Sequence, residues 1–184
     1  MIILCGCTAE ESRALAARAR HLRVPVIVSF TSAFNGAFFL DAGEEHSYEL
    51  TKSGETGGVG GGQACEGGVI TKSYRSFASA SCADAVKVLA VPARHATPLA
   101  LAWSSLFCDD PTISLDDRAD AAEIKDTLHS FNKGLKTQVS AAAAVLGGVI
   151  VNEALKIVTK KDEPLSNFFV FDGMGGGGGR VFEL

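Results

Sequence analysis

Apolar residues fall along this chain in short unbroken runs, and the runs set the elements. Ile2, Ile3 and Leu4 follow one another without polar alternation, which predicts a buried strand between Met1 and Cys7. Thr8-Ala9-Glu10-Glu11 has the spacing of a capping box: a hydroxyl accepts from a free helix amide and a carboxylate reaches back. A helix is therefore expected from Ala9 to about Leu22. Pro25 stands near the start of the next apolar run, Val24 to Phe30. Strand, helix and strand within about 30 residues make a βαβ unit, whose two strands run parallel. Asn35-Gly36, set between apolar pairs, is a hairpin signal that leads into Phe38-Phe39-Leu40.

The pattern then breaks. Residues 54–68 hold eight glycines, and because ordering glycine costs the most chain entropy, this stretch is expected to be mobile. Residues 71–135 read as mostly helical. Thr97-Pro98 offers a hydroxyl cap with proline at the first helical position, ahead of the apolar run Leu99 to Phe107. Ser114-Leu115-Asp116-Asp117 opens another helix toward Phe131, its acidic first turn suited to the helix dipole. A last helix is expected from Thr137 to about Lys160, with Lys156, Lys160 and Lys161 at its end and Pro164 just beyond. Asn167 to Asp172 reads as a strand, Gly173 to Gly179 as a loop and Arg180 to Leu184 as a closing strand, together a terminal hairpin. The expected organisation is α/β. A core is drawn from residues 1–50 and 136–184, with a flexible segment over 51–70 and an inserted helical lobe over 71–135. In that arrangement Ile2-Ile3-Leu4 and Phe169-Val170-Phe171 share one sheet.

Composition narrows the function. Hydrophobic residues make up 47% of the 184, enough to form a core, so the chain as a whole is not expected to be disordered. The formal net charge of −4 argues against a nucleic-acid partner, which calls for a basic face. The apolar stretch Val139 to Val158 is interrupted by Asn152, Glu153 and Lys156, so it reads as a core helix and no membrane partner is expected. Cys5, Cys7, Cys65, Cys82 and Cys108 are odd in number and no secretory signal precedes them; free thiols in a reducing, intracellular compartment are expected.

Candidate chemistry is sparse. Gly173-Met174-Gly175-Gly176-Gly177-Gly178 has G-x-G-x-x-G spacing after a strand, but no helix is expected next, and the helix N-terminus is what holds the phosphates. Cys5-Gly6-Cys7 sits where a parallel strand ends and a helix begins, a place that can activate a thiol; without a histidine nearby in sequence, two small residues packed at a strand end is the plainer reading. The histidines, His21, His46, His95 and His129, show no metal-ligand spacing. Gly147-Gly148 inside an apolar helix costs about 1 kcal/mol per glycine relative to alanine, which suggests close backbone approach to a neighbour. Glu153 and Lys156, three apart, read as a solvated ion pair.

Two segments resemble a known family. Leu146 to Lys156 carries G-G-x-x-x-N-E-x-x-K and is followed by Asn167-Phe168-Phe169-Val170-Phe171-Asp172-Gly173-Met174. This is similar to the C-terminal signature of the adenylation domain in ubiquitin-like-protein activating enzymes (ThiF-type), nearest to the non-thiol subunits that serve SUMO; Asn152 stands where the family has glutamine. Leu4 to Thr8, the helix and Val24 to Ile27 resemble the strand-helix-strand after that family's nucleotide site, and Phe34 to Gly43 continues the match. The resemblance implies the C-terminal part of a Rossmann-like adenylation domain. The function it implies is support for ATP-dependent adenylation of a ubiquitin-like modifier, SUMO first, as part of a heterodimer with a thiol-bearing subunit in nucleus and cytoplasm. It places the nucleotide-binding half upstream of this chain and the catalytic cysteine on the partner. No catalytic, cofactor-binding or metal residue is therefore assigned here, ATP and Mg²⁺ belong to the complete enzyme, and the chain alone is expected to be inactive. The alternatives are a non-thiol subunit for another modifier, a degenerate interaction module without enzymatic activity, and a thiol enzyme using Cys7.

Overall fold

The structure, a computed structural model, describes residues 1–50, 68–80, 139–173 and 178–183. β1 (Ile2–Cys5) leads through a bend into α1 (Ala9–His21), and β2 (Val26–Ser32) returns parallel to β1, pairing Ile2 with Val26 and Cys5 with Ser29. Both halves of the capping box form: the Thr8 amide donates to Glu11 Oε2 at 3.0 Å and the Glu11 amide to Thr8 Oγ1 at 3.2 Å. α1 stops at Leu22, after which Arg23 takes a left-handed φ of 55° and turns the chain toward β2.

β3 (Asn35–Asp41) folds back antiparallel on β2, as the hairpin signal predicts, but the turn lies elsewhere. Ser32 pairs with Asn35, so the tip is Ala33-Phe34, with Ala33 at φ 48°. Asn35 and Gly36 are strand residues: the Asn35 side chain accepts from the Gly173 amide at 3.3 Å, and Gly36 faces Leu146 at a distance that leaves little room for a Cβ.

β6 (Phe168–Asp172) runs antiparallel to β3, and β7 (Gly178–Phe182) closes the terminal hairpin. The result is one mixed five-stranded sheet in the order β1-β2-β3-β6-β7, with Ile2-Leu4 and Phe169-Phe171 in it together. β7 begins two residues before the expected strand start at Arg180. Gly179 lies within it, paired with Phe171, and the ring of Phe169 occupies the space its Cβ would take.

β4 (His46–Glu49) and β5 (Val69–Lys72) form a separate antiparallel pair. Residues 69–70 were expected in the flexible segment and 71–80 in the helical lobe; they form a strand, an extended stretch and a 3-10 turn, Phe77–Ser79. Burial explains this: Tyr74 and Phe77 are fully enclosed against the main sheet, which fixes the backbone between them. Residues 51–67 and 81–138, and with them most of the expected flexible segment and lobe, lie outside the described residues.

α2 (Ser140–Thr159) lays Ala142, Leu146, Ile150 and Ile157 on the sheet face formed by Ile27, Phe38, Leu40 and Phe169. Phe38 and Phe169 stack there at 5.0 Å between ring centroids. The opposite face packs against α1 and the 3-10 turn, with Phe39 edge-on to Phe77 at 5.4 Å. α2 is long and apolar enough to cross a membrane by length and composition, and it was expected as a core helix. Only one stripe of it is buried; Val151, Leu155 and Val158 are exposed on the other side. Nor, outside the adjoining turns of α2 itself, does any described atom approach within 4 Å of a Cβ built on Gly147 or Gly148, so the expected close packing is absent among the described residues.

Candidate functional site

Three places bring polar chemistry together. The first is the end of β1. Parallel strands deliver their C-terminal ends, and the helix starts that follow, to the side of a sheet where ligands commonly bind. Here Gly6 bends the chain at φ 70°, Cys5 and Cys7 are both exposed free thiols, and the buried Ser29 hydroxyl donates to Cys5 Sγ at 3.0 Å. The Thr8 amide is already taken by Glu11.

The second is an open cleft of about 600 Å³ at the C-terminal end of α1, lined by Arg20, His21, Arg23, Asp41, Glu44 and Glu45 among others. Arg20 donates to Asp41 Oδ1 at 2.6 Å and to the Tyr74 carbonyl at 3.0 Å, and lies 3.6 Å from Glu44. Asp41 is 3% exposed and also accepts from the Gly43 and Phe77 amides. Burial pushes the Asp41 carboxyl above its usual range, against the pull of Arg20 and the two amides. The charges at the floor of the cleft are thus spent on tying α1, β3 and the 73–80 stretch together.

The third is the connection from α2 to β6. Glu153 was expected to be solvated; it is 3% exposed. Its Oε1 accepts from Lys156 at 2.8 Å and its Oε2 from the Leu165 amide at 2.7 Å, so the helix clamps the connector that follows it. Asn167, in a left-handed conformation at φ 51°, opens β6 and donates through its side chain to the carbonyls of Leu40 and Arg75, both at 3.3 Å. At the other end Gly173 is needed for space, because a Cβ there would strike the Phe34 carbonyl. The Tyr74 hydroxyl donates to the Pro164 carbonyl at 3.0 Å and Lys72 reaches Glu163 at 2.6 Å, closing β4 and β5 over the same connector. No protein-family model matches the chain. Part of it is similar to SUMO-activating enzyme subunit 1: 32% identical over 80 residues to the Bos taurus protein and 35% over 77 to that of Danio rerio. Over a shorter stretch of 42 residues it is 43% identical to SUMO-activating enzyme subunit 1B-1 of Arabidopsis thaliana. The first two matches take in 41% and 39% of this chain and 23% and 22% of the relatives, so the chain spans about a quarter of their length.

The other sequence candidates fall apart in space or lie out of view. Gly173 follows β6 and Gly178 starts β7, antiparallel to it, so the far end of this G-x-G-x-x-G is a strand; residues 174–177 lie outside the described residues. His21 lines the cleft, His46 is buried between Tyr48 and Tyr74, and His95 and His129 lie outside the described residues, as do Cys65, Cys82 and Cys108. Among the described residues no group of His, Cys, Asp and Glu has the make-up of a metal site. Sequence reading missed the Arg20–Asp41–Tyr74 clasp: its members stand 21 and 54 positions from Arg20, and no local pattern joins them.

Proposed function

We propose that this chain is part of an activating-enzyme subunit that supports ATP-dependent adenylation of a ubiquitin-like modifier, with SUMO the first candidate. In this reading it forms the later part of a Rossmann-like adenylation domain, pairs with a thiol-bearing subunit and acts in nucleus and cytoplasm. The observation that carries the proposal is the Glu153-to-Gly173 unit, where the residues that resemble the family signature are the ones that hold α2, the connector and β6 in one piece. The partial likeness to SUMO-activating enzyme subunit 1 supports it. The parallel β1-α1-β2 unit, with β1 at the edge of the sheet, suits a larger parallel sheet.

In this reading the nucleotide is held by the rest of the enzyme. Among the described residues Gly178 begins a strand and Arg20 is paired with Asp41, so no step through the nucleotide is assigned to this chain's own side chains. The test is pyrophosphate exchange from ATP with a panel of purified modifiers. It is run on the chain alone and on the chain co-expressed with the thiol-bearing SUMO-activating subunit and with whatever further sequence its gene encodes. Exchange with SUMO in the complex and none from the chain alone is expected. A gene product that neither binds that subunit nor supports exchange with any modifier would remove the proposal.

A further inference from the structure

The Cys5-Gly6-Cys7 turn is used by neither the clasp at Asp41 nor the clamp at Glu153. We propose that it is a dithiol modification site, in which Cys5 and Cys7 close to a disulfide by exchange with a low-molecular-weight disulfide such as glutathione disulfide. Both sulfurs are free and both residues exposed, so a tripeptide disulfide can reach them. Spacing permits closure. Two residues of extended chain span about 6.6–7.2 Å, whereas bridged cysteines have Cα atoms about 4.4–6.8 Å apart. The bend at Gly6, φ 70°, shortens that span, and a side chain at this position would not tolerate the conformation well. Apart from Cys5 and Cys7 themselves, no described residue lies within 4 Å of where a Gly6 Cβ would stand, so nothing else crowds the turn as it tightens. The Ser29 hydroxyl on β2 shares its proton between the Leu4 carbonyl, at 3.2 Å, and Cys5 Sγ, at 3.0 Å, and so holds the end of β1 in place.

The exchange balances. One protein thiolate attacks a sulfur of glutathione disulfide, forming a mixed disulfide and releasing one glutathione thiolate. The second protein thiolate attacks the protein-side sulfur of that mixed disulfide and releases the other glutathione. The protein loses two hydrogens, as two protons and two electrons, and glutathione disulfide is reduced to two glutathione molecules. A ring this small constrains little of the unfolded chain, and exposed, tightly closed disulfides are the readily reduced ones, so the modification is reversible. It ties the end of β1 to the turn that precedes the Thr8 cap of α1.

Trypsin makes the test direct. The first basic residue is Arg13, so residues 1–13 form one peptide that holds Cys5 and Cys7 and no other cysteine. The folded protein is incubated with glutathione disulfide, alkylated with iodoacetamide, digested and weighed. Residues 1–13 are expected two hydrogens light, unalkylated and without glutathione, and dithiothreitol before alkylation should restore two alkylated thiols. Cys7→Ser should instead retain one glutathione on Cys5. Two alkyl groups or two glutathiones on residues 1–13 of the wild type, or a bridge from them to a peptide holding Cys65, Cys82 or Cys108, would overturn the proposal. Far-ultraviolet circular dichroism on the same samples confirms that each was folded.

Discussion

At the scale of single residues, the signature positions are explained by what they hold. Asn167 starts β6 because an asparagine tolerates the left-handed backbone better than most residues and its amide can still donate to Leu40 and Arg75. Glu153 is the sharper case. A carboxylate i, i+3 from a lysine is ordinarily a surface pair contributing a few tenths of a kcal/mol, and nothing in the helix sequence marks this one as buried. What buries it is the connector, which returns to place the Leu165 amide 2.7 Å from Oε2. Glu153→Ala removes that acceptor and leaves the amide and the Lys156 ammonium without it, at a cost of about 2–3 kcal/mol. Glu153→Gln keeps an acceptor for Leu165 and should cost about half as much; Lys156→Met, at a side chain 30% exposed, should cost under about 1 kcal/mol. Urea unfolding midpoints of the three variants check the order. Equal, small losses would show Glu153 to be the solvated pair its spacing suggests.

At the scale of elements, local chemistry was legible and tertiary chemistry was not. The α1 start could be read because Thr8 and Glu11 satisfy each other within one turn. The β2–β3 hairpin was legible as a hairpin, yet its tip was placed two residues late: Asn35-Gly36 is a turn signal in isolation, but Asn35 is spent on Gly173 and Gly36 on passage of Leu146. Val69–Lys72 escaped notice because its partner strand lies across the glycine-rich stretch and its anchor, Tyr74, is buried by groups far along the chain. Gly147 and Gly148 are the element-scale prediction. With no described neighbour within 4 Å, alanine at either position should stabilise α2 by about 0.5–1 kcal/mol, the ordinary helix preference. Thermal unfolding of each variant measures it. A loss of stability would mean that chain outside the described residues approaches the glycines closely. A gain in stability with weaker binding to a thiol-bearing subunit would assign the exposed Val151-Leu155-Val158 side of α2 to that contact.

At the scale of the whole molecule, the described residues form a sheet packed on both faces, and the strands at its two ends differ. β7 ends an antiparallel hairpin, while β1 is a parallel edge with Ile2 and Ile3 about two-fifths exposed, the composition of an interior strand. The two-stranded β4–β5 unit is fastened to this core through the α2–β6 connector, and His46 sits in that fastening, buried beside Tyr48 and Tyr74, across from Lys72 and near Lys160. Its Nε2 has no hydrogen-bond partner among the described residues, and burial, then Lys160, hold the imidazole below its ordinary 6.5. The folded chain therefore binds fewer protons here than the unfolded chain, so stability is present above pH 6.5 and is lost as pH falls from there through the folded value. Glu163, lowered chiefly by its hydrogen bond from Lys72, acts in the same direction further down: its contribution is present above 4.5 and fades in acid, and it is small because the group is half exposed. Asp41 has the opposite sign, since a carboxyl raised by burial destabilises the fold as it ionises, and acid relieves that cost around and above 3.8. Stability should thus decline as pH falls through the histidine window, with Asp41 opposing the loss and Glu163 adding to it in acid. Urea midpoints at about pH 7.5 and about pH 5.5 should differ for the wild type and converge in His46→Gln, which cannot charge. An unchanged gap in that variant would place the titration elsewhere.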